Sequence, residues 1–261
     1  MKIIDSHCHL QSIDFDKINT TEDAFIKSCF DSEEGLDDLL CVCIEIDDFP
    51  NLLRIANKHP KIRISFGQHP NDMETITLKE FEAACEQYLS HEKIIAIGET
   101  GLDYYRDGNK DAQQLMFRRQ IQLAKEHKKP LIIHTRNAVD DTLRILKEER
   151  AHEVGGIFHC FTESWEMAKA GIDLGFYISF SGIVTFKNAQ AIRDVVEKVP
   201  FERLLIETDA PYLAPVPHRG KVNLPVYVNF VGQEVAKIKN TDLETIIKHT
   251  SSNFYQLFPR S

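Results

Sequence analysis

Histidines and carboxylates recur at the C-terminal ends of separate apolar runs, and no other feature limits the possible fold so much. In order the runs read IIDSHCH (His7, His9), IIAIGETGLD (Glu99), LIIHTR (His134), GIFHCF (His159) and LLIETDAPY (Asp209). Buried ionisable groups are costly unless they are partnered, so such a series needs a common purpose. In a parallel barrel the C-terminal strand ends meet at one mouth, where enzymes of that shape place their catalytic groups. Four histidines and two carboxylates at such a mouth make a site for two metal ions and a hydrolytic reaction.

The spacing of the runs supports that architecture. Strand-like stretches fall near 2–7, 39–46, 62–67, 94–98, 130–134, 155–160, 176–181 and 203–208, with amphipathic stretches such as 77–89 and 112–128 between them. Alternation of this kind indicates an α/β protein with a parallel sheet. Pro130 ends one helix and opens the next strand, a position that tolerates a missing N–H. Residues 225–257 read as two closing helices. The expectation is a (β/α)8 TIM barrel in a single domain over 1–261, a length that suits one barrel. Gly98, Gly101 and Gly108 read as loop glycines near the fourth strand rather than as a nucleotide-binding fingerprint.

Composition removes several classes. No segment has the roughly 18 uninterrupted apolar residues of a membrane helix, and MKIIDSHCHL reads as a strand and not as a targeting segment. The expected compartment is the cytoplasm, with no membrane and no obligatory protein partner. Six cysteines without a C-x-x-C pair argue against disulfides. A net charge of −9 argues against coating nucleic acid by bulk electrostatics. Local positive charge remains at Arg106, Arg136 and the run His218-Arg219-Gly220-Lys221.

The chemistry follows from residue type and parity. His7 and His9 share a face of their strand and can chelate one ion. Each oxygen of Glu99 can bind a different ion. Asp5 and Glu207 share the faces of His7 and Asp209, which suits either carboxylates that orient ligand histidines or a polar layer in the barrel floor. Imidazole-rich sites favour Zn, Mn, Ni or Fe, whereas Mg prefers oxygen. Tyr104 and Tyr105 can stack on a base or pack beneath a loop.

The ordered blocks DSHCHL, GQHP, IGETGLDYY, PLIIHTRNA, GIFHCFTES, ISFSGIVTFKNA and IETDAPYLAPVPHRGK resemble the TatD family of metal-dependent hydrolases almost end to end. That resemblance implies a binuclear site in which His7, His9 and Asp209 hold one ion, Glu99 bridges, and His134 and His159 hold the second. It implies that Asp209 and Glu99 are catalytic, Asp209 by accepting a proton from the attacking water. It also implies that His69, Arg136, His218, Arg219 and Lys221 contact substrate. The implied activity is cleavage of DNA phosphodiesters, as a 3′→5′ exodeoxyribonuclease supported by divalent ions, magnesium among them. Gln11, Glu163, Val222 and Leu224 depart from the family pattern, and those at Glu163 and Val222 lower the local positive charge.

Two other readings fit the residues. The same metal set can hydrolyse an amide or ester, as in deacylation of D-aminoacyl-tRNA. A metal- or nucleic-acid-binding protein without catalysis is the third, and retention of all six metal positions speaks against it.

Overall fold

Apolar runs with little in–out alternation are what a parallel sheet covered on both faces requires. The computed structural model, which describes residues 2–73, 76–106 and 108–259, builds such a sheet. Its strands are β1 (Ile3–Cys8), β2 (Leu36–Cys41), β3 (Ile62–Phe66), β4 (Ile94–Asp103), β5 (Leu131–Arg136), β6 (Gly156–Phe158), β7 (Phe176–Phe180) and β8 (Leu204–Ile206). They form one eight-stranded sheet whose spatial order is the chain order. The helices α1 (Glu22–Asp31), α2 (Phe49–Lys58), α3 (Leu78–Tyr88), α4 (Lys110–His127), α5 (Val139–Glu148), α6 (Trp165–Asp173) and α7 (Gln190–Lys198) alternate with the strands. α8 (Val228–Ile238) and α9 (Leu243–Leu257) follow β8. This is the (β/α)8 architecture expected from the run spacing.

Packing divides the chain into two compact units, Met1–Cys41 with Cys160–Ala168 and Ile178–Ser261, and Val42–His159 with Lys169–Tyr177. In the first, β1 pairs in parallel with β2, Ile3 opposite Leu36 and Cys8 opposite Cys41. β7 pairs with β8, Ile178 opposite Leu204. The chain leaving β8 then joins β1. Asp209 N–H donates to the His7 carbonyl at 2.9 Å, and His9 N–H donates to the Ala210 carbonyl at 2.7 Å. First and last strands therefore meet, as barrel closure demands. Val231, Val235, Ile246 and Phe254 of α8 and α9 are buried in this unit.

In the second unit β3, β4, β5 and β6 pair in parallel in sequence order. Their Ile62, Ile64, Ile97, Leu131 and Ile133 side chains are buried, as are the rings of Phe49, Phe66 and Phe81. α3 starts on a capping box in which Thr77 Oγ1 accepts the Glu80 N–H and the Glu80 side chain accepts the Thr77 N–H. α4 is capped by Asn109 and carries Lys125 and His127 in its last turn, where cations suit the helix dipole.

Several strand bounds differ from expectation. β2 stops at Cys41 instead of near 46, and β6 and β8 are three residues each. β4 is longer than expected, running to Asp103 rather than 98. Gly98 lies inside this strand and not in a loop, and so does Gly101. The φ of Gly101 is 136°, and a Cβ there would lie 2.0 Å from the His134 carbonyl oxygen. Glycine at this position marks close approach of two backbones.

Candidate metal centre

Strand parity turns His7 and His9 the same way, and their Nε2 atoms stand 3.1 Å apart. Asp209 Oδ1 lies 3.3 Å from His9 Nε2 and 3.7 Å from His7 Nε2. Both imidazoles are buried. Donors arranged tetrahedrally at about 2.0–2.1 Å from one ion are about 3.3 Å from each other. The three atoms have that spacing, so this donor set fits a divalent transition metal.

The backbone around Asp209 is held in place from β1. Asp209 has φ 58°, in the left-handed region that Asp enters more readily than most residues. Its neighbour Thr208 donates its N–H to Asp5 Oδ1 at 2.9 Å and its hydroxyl to Asp5 Oδ2 at 2.5 Å. Asp5 Oδ1 also accepts the His7 N–H at 3.3 Å. Burial pushes the Asp5 carboxyl well above its usual range, against the opposing pull of the Thr208 bonds. Asn223 Nδ2 donates to the Thr208 carbonyl at 2.8 Å. Glu207 Oε1 accepts the N–H of Cys160, the residue after His159, at 2.8 Å. Asp5 thus holds the backbone that carries His7 and Asp209, and Glu207 holds the chain next to His159.

In the second unit one carboxylate oxygen gathers three imidazoles. Glu99 Oε1 is 2.8 Å from His159 Nε2, 3.0 Å from His134 Nδ1 and 3.4 Å from His69 Nε2. Burial raises the Glu99 carboxyl, but His159, His69 and His134 outweigh it and hold the group well below its usual range. Burial likewise lowers His69, while Glu99 and Asp72 reverse that and take the imidazole up to about 9. His69, assigned from sequence to substrate alone, thus stands close enough to Glu99 to serve as a ligand with His134. This set, one carboxylate and imidazole nitrogens, also fits a borderline transition metal.

Two residues of this cluster escaped the sequence reading. Asp103 Oδ2 lies 3.2 Å from His134 Nε2 and accepts Asn71 Nδ2–H at 3.0 Å. Asp103 Oδ1 accepts the Tyr105 N–H at 2.9 Å. Burial raises the Asp103 carboxyl, yet the bonds from His134 and Asn71 leave it below its usual range. The signal for Asp103 was available, because residues 99, 101 and 103 of one strand share a face. Nothing local marks Asn71.

The cationic residues have different fates. The Arg136 guanidinium stacks on Tyr105 with 3.7 Å to the ring centroid, and Tyr105 is 61% exposed. Tyr104 instead donates its hydroxyl to Asp141 at 2.8 Å and packs beside α4 and α5. Arg219 lies over Phe186 and donates to the Ala214 carbonyl at 3.0 Å. His218 is stacked on Tyr227, 3.9 Å between centroids, in the wall of a cavity of about 650 Å³ shared with Phe25, Cys29 and Phe230. Lys221 is exposed. Gln11 accepts a hydrogen bond from the Cys41 thiol at 3.2 Å.

The family model for TatD-related DNases matches residues 4–259. The chain belongs to the TatD family of metal-dependent hydrolases. A metal-dependent hydrolase of Buchnera aphidicola is 43% identical over 99% of this chain and 96% of its own length. The hydrolase YcfH of Escherichia coli K12 is 40% identical with the same coverage. The crystal structure of the TatD homologue YjjV from E. coli K12 superposes with a TM-score of 0.89 at 28% identity, over 99% of this chain and 98% of that one. No described helix of this TatD-family chain is long and apolar enough to cross a membrane.

Proposed function

We propose that this TatD-family hydrolase cleaves DNA phosphodiesters as a 3′→5′ exodeoxyribonuclease. His7, His9 and Asp209 are assigned to one ion, His134 and His159 to a second, and Glu99 is shared. When bound there, divalent ions would supply a lowered pKa for water and offset charge on the scissile phosphate. Asp209, whose Oδ1 lies beside the two Nε2 atoms of His7 and His9, would take the proton of the attacking water on its carboxylate. His69 and Arg136 hold the phosphate, the planar guanidinium by a two-point grip. Tyr105 offers its exposed ring to a base.

One observation carries this reading. An exposed arginine on an aromatic ring stands two residues past His134 on the same strand, which is what a single-stranded phosphodiester needs beside a metal ligand. The six free cysteines support a reducing compartment and hence the cytoplasm.

The test uses purified protein, stripped of metal and reloaded with Mg, Mn, Zn, Ni or Fe. Single-stranded DNA labelled at its 3′ or 5′ end is the substrate, with Asp209→Asn as control. Metal-dependent stepwise loss from the 3′ end, absent in the control, is expected. Cleavage by Asp209→Asn at the wild-type rate would overturn the role of Asp209.

Hydrolysis of a carbonyl substrate such as D-aminoacyl-tRNA is the second reading. It is favoured by Arg219, which lies over Phe186 and donates to the Ala214 carbonyl, leaving fewer N–H groups for phosphate. Turnover of esters by a metal-loaded sample that leaves DNA intact would select it.

A further inference from the structure

His134 is clasped between two carboxylates of one strand. Glu99 and Asp103 lie four residues apart on β4, on one face, with Gly101 between them. Because Gly101 has no side chain, β5 approaches until the His134 backbone covers it. Glu99 then meets Nδ1 of the imidazole at 3.0 Å and Asp103 meets Nε2 at 3.2 Å. An imidazole that binds a metal through one nitrogen carries its proton on the other.

The Asp103 carboxylate is built to receive that proton's hydrogen bond. It is only 1% exposed. Asn71 Nδ2–H donates to Oδ2 and the Tyr105 N–H donates to Oδ1, so its plane is set from two sides independently of His134. Asn71 is itself tied to the chain at His69, since its N–H donates to His69 Nδ1 at 3.1 Å. An ionised carboxylate can only accept. Glu99 can likewise only accept. An ion taken up by Glu99 and Nδ1 together would, however, require the lone pair on Nδ1, and the one remaining proton then belongs on Nε2, facing Asp103.

We propose that Asp103 is a positioning residue that fixes His134 as the Nε2–H tautomer and thereby makes Nδ1 its metal-binding nitrogen. The inference rests on the ligand role proposed for His134 and goes beyond it by naming the binding nitrogen and the group that selects it. Removing a carboxylate that orients a ligand histidine generally weakens metal affinity 10–100-fold. Asn71 acts one step further out, through Asp103.

The test combines Zn²⁺ affinity, measured by competition with a chromophoric chelator, with ¹⁵N NMR of histidine-labelled, Zn²⁺-loaded protein. His134→Ala assigns the His134 signals and tests the ligand role itself. In wild type the His134 signals should show Nδ1 coordinated and an Nε2–H proton protected from exchange. Asp103→Ala should lose that protection and bind Zn²⁺ roughly 10–100-fold more weakly at one position. Asp103→Asn keeps an acceptor oxygen and should fall between, which preserves the test if the alanine variant folds poorly.

A protected Nδ1–H in wild type, or wild-type Zn²⁺ affinity in a folded Asp103→Asn and Asp103→Ala pair, overturns the inference. If His134→Ala also binds Zn²⁺ as wild type does, it is the ligand assignment that has failed. Loss of thermal stability alone, with affinity and His134 signals unmoved, marks Asp103 as merely structural and overturns its positioning role.

Discussion

Asp5 and Thr208 are joined by two hydrogen bonds, one from the Thr208 N–H and one from its hydroxyl, across 203 residues of sequence. The joint locks the segment after β8 to β1. On one side of it is His7, and on the other is Asp209 in its left-handed conformation. Two candidate ligands far apart in the sequence therefore share a single buried anchor.

Asp5→Ala leaves the Thr208 N–H, its hydroxyl and the His7 N–H without that acceptor. Each buried group stripped of its partner costs about 1–3 kcal/mol, with part of the loss recovered by relaxation. A net destabilisation of roughly 2–4 kcal/mol is expected in urea unfolding. Metal content after dialysis should fall with it. Asp5→Asn, which keeps one acceptor oxygen, should lose less of both. Undiminished metal content in a folded Asp5→Ala would show that the anchor does not set the ligands.

Gly101→Ala tests the close approach of β4 and β5. The added methyl would collide with the His134 carbonyl, and the φ of 136° is itself unfavourable for alanine. Overpacking of this type costs typically 1–3 kcal/mol beyond the backbone penalty. For a chain of this length that is roughly a 5–10 °C drop in Tm. Displaced His134 should also weaken metal binding. A variant with wild-type Tm and affinity would mean that the strands separate here without penalty.

Arg136 and Tyr105 should separate binding from metal retention. Arg136→Ala is expected to lower kcat/KM on single-stranded DNA about ten-fold with metal content unchanged. Arg136→Lys should recover little, since a point charge lacks the planar fork and stacks less well. Tyr105→Ala should also cost about ten-fold, in line with roughly 1–3 kcal/mol per stacked base. Equal losses on a small uncharged ester would argue that the pair supports the fold and not the nucleic acid.

Metal loading should stabilise the native chain. A ligand held at a hundred times its Kd adds about 2.7 kcal/mol. That corresponds to a Tm rise of roughly 5–10 °C, reversed by a chelator. His9→Ala should blunt the rise, because it removes one of the closely spaced Nε2 donors. The effect should weaken at acid pH, where imidazoles must give up protons to bind. An unchanged Tm in the presence of excess Zn²⁺ or Mn²⁺ would count against occupancy of these clusters.

The clustering of the candidate ligand residues was legible because their signals are local. Alternation along a strand puts His7 beside His9, and an apolar run that ends in a polar group marks His134, His159 and Asp209 without any knowledge of neighbours. The eight strands and the helices between them follow from the same periodicities. Glu99 was visible for the same reason, although the strand that bears it continues to Asp103. What only the tertiary structure decided depends on which strands lie side by side and in what register. Asp103 stands opposite Arg136 in the β4–β5 pairing, and that register brings its carboxylate to His134 and leaves Tyr105 under the guanidinium. Asn71 reaches Asp103 across 32 residues of sequence, and His69 reaches Glu99 from the same segment. Of the cationic residues, the sequence alone could not rank Arg136 above Arg219, which spends its guanidinium on Phe186 and Ala214. Side-chain type and period are written along one chain, whereas partners across strands come from packing, which no single segment contains.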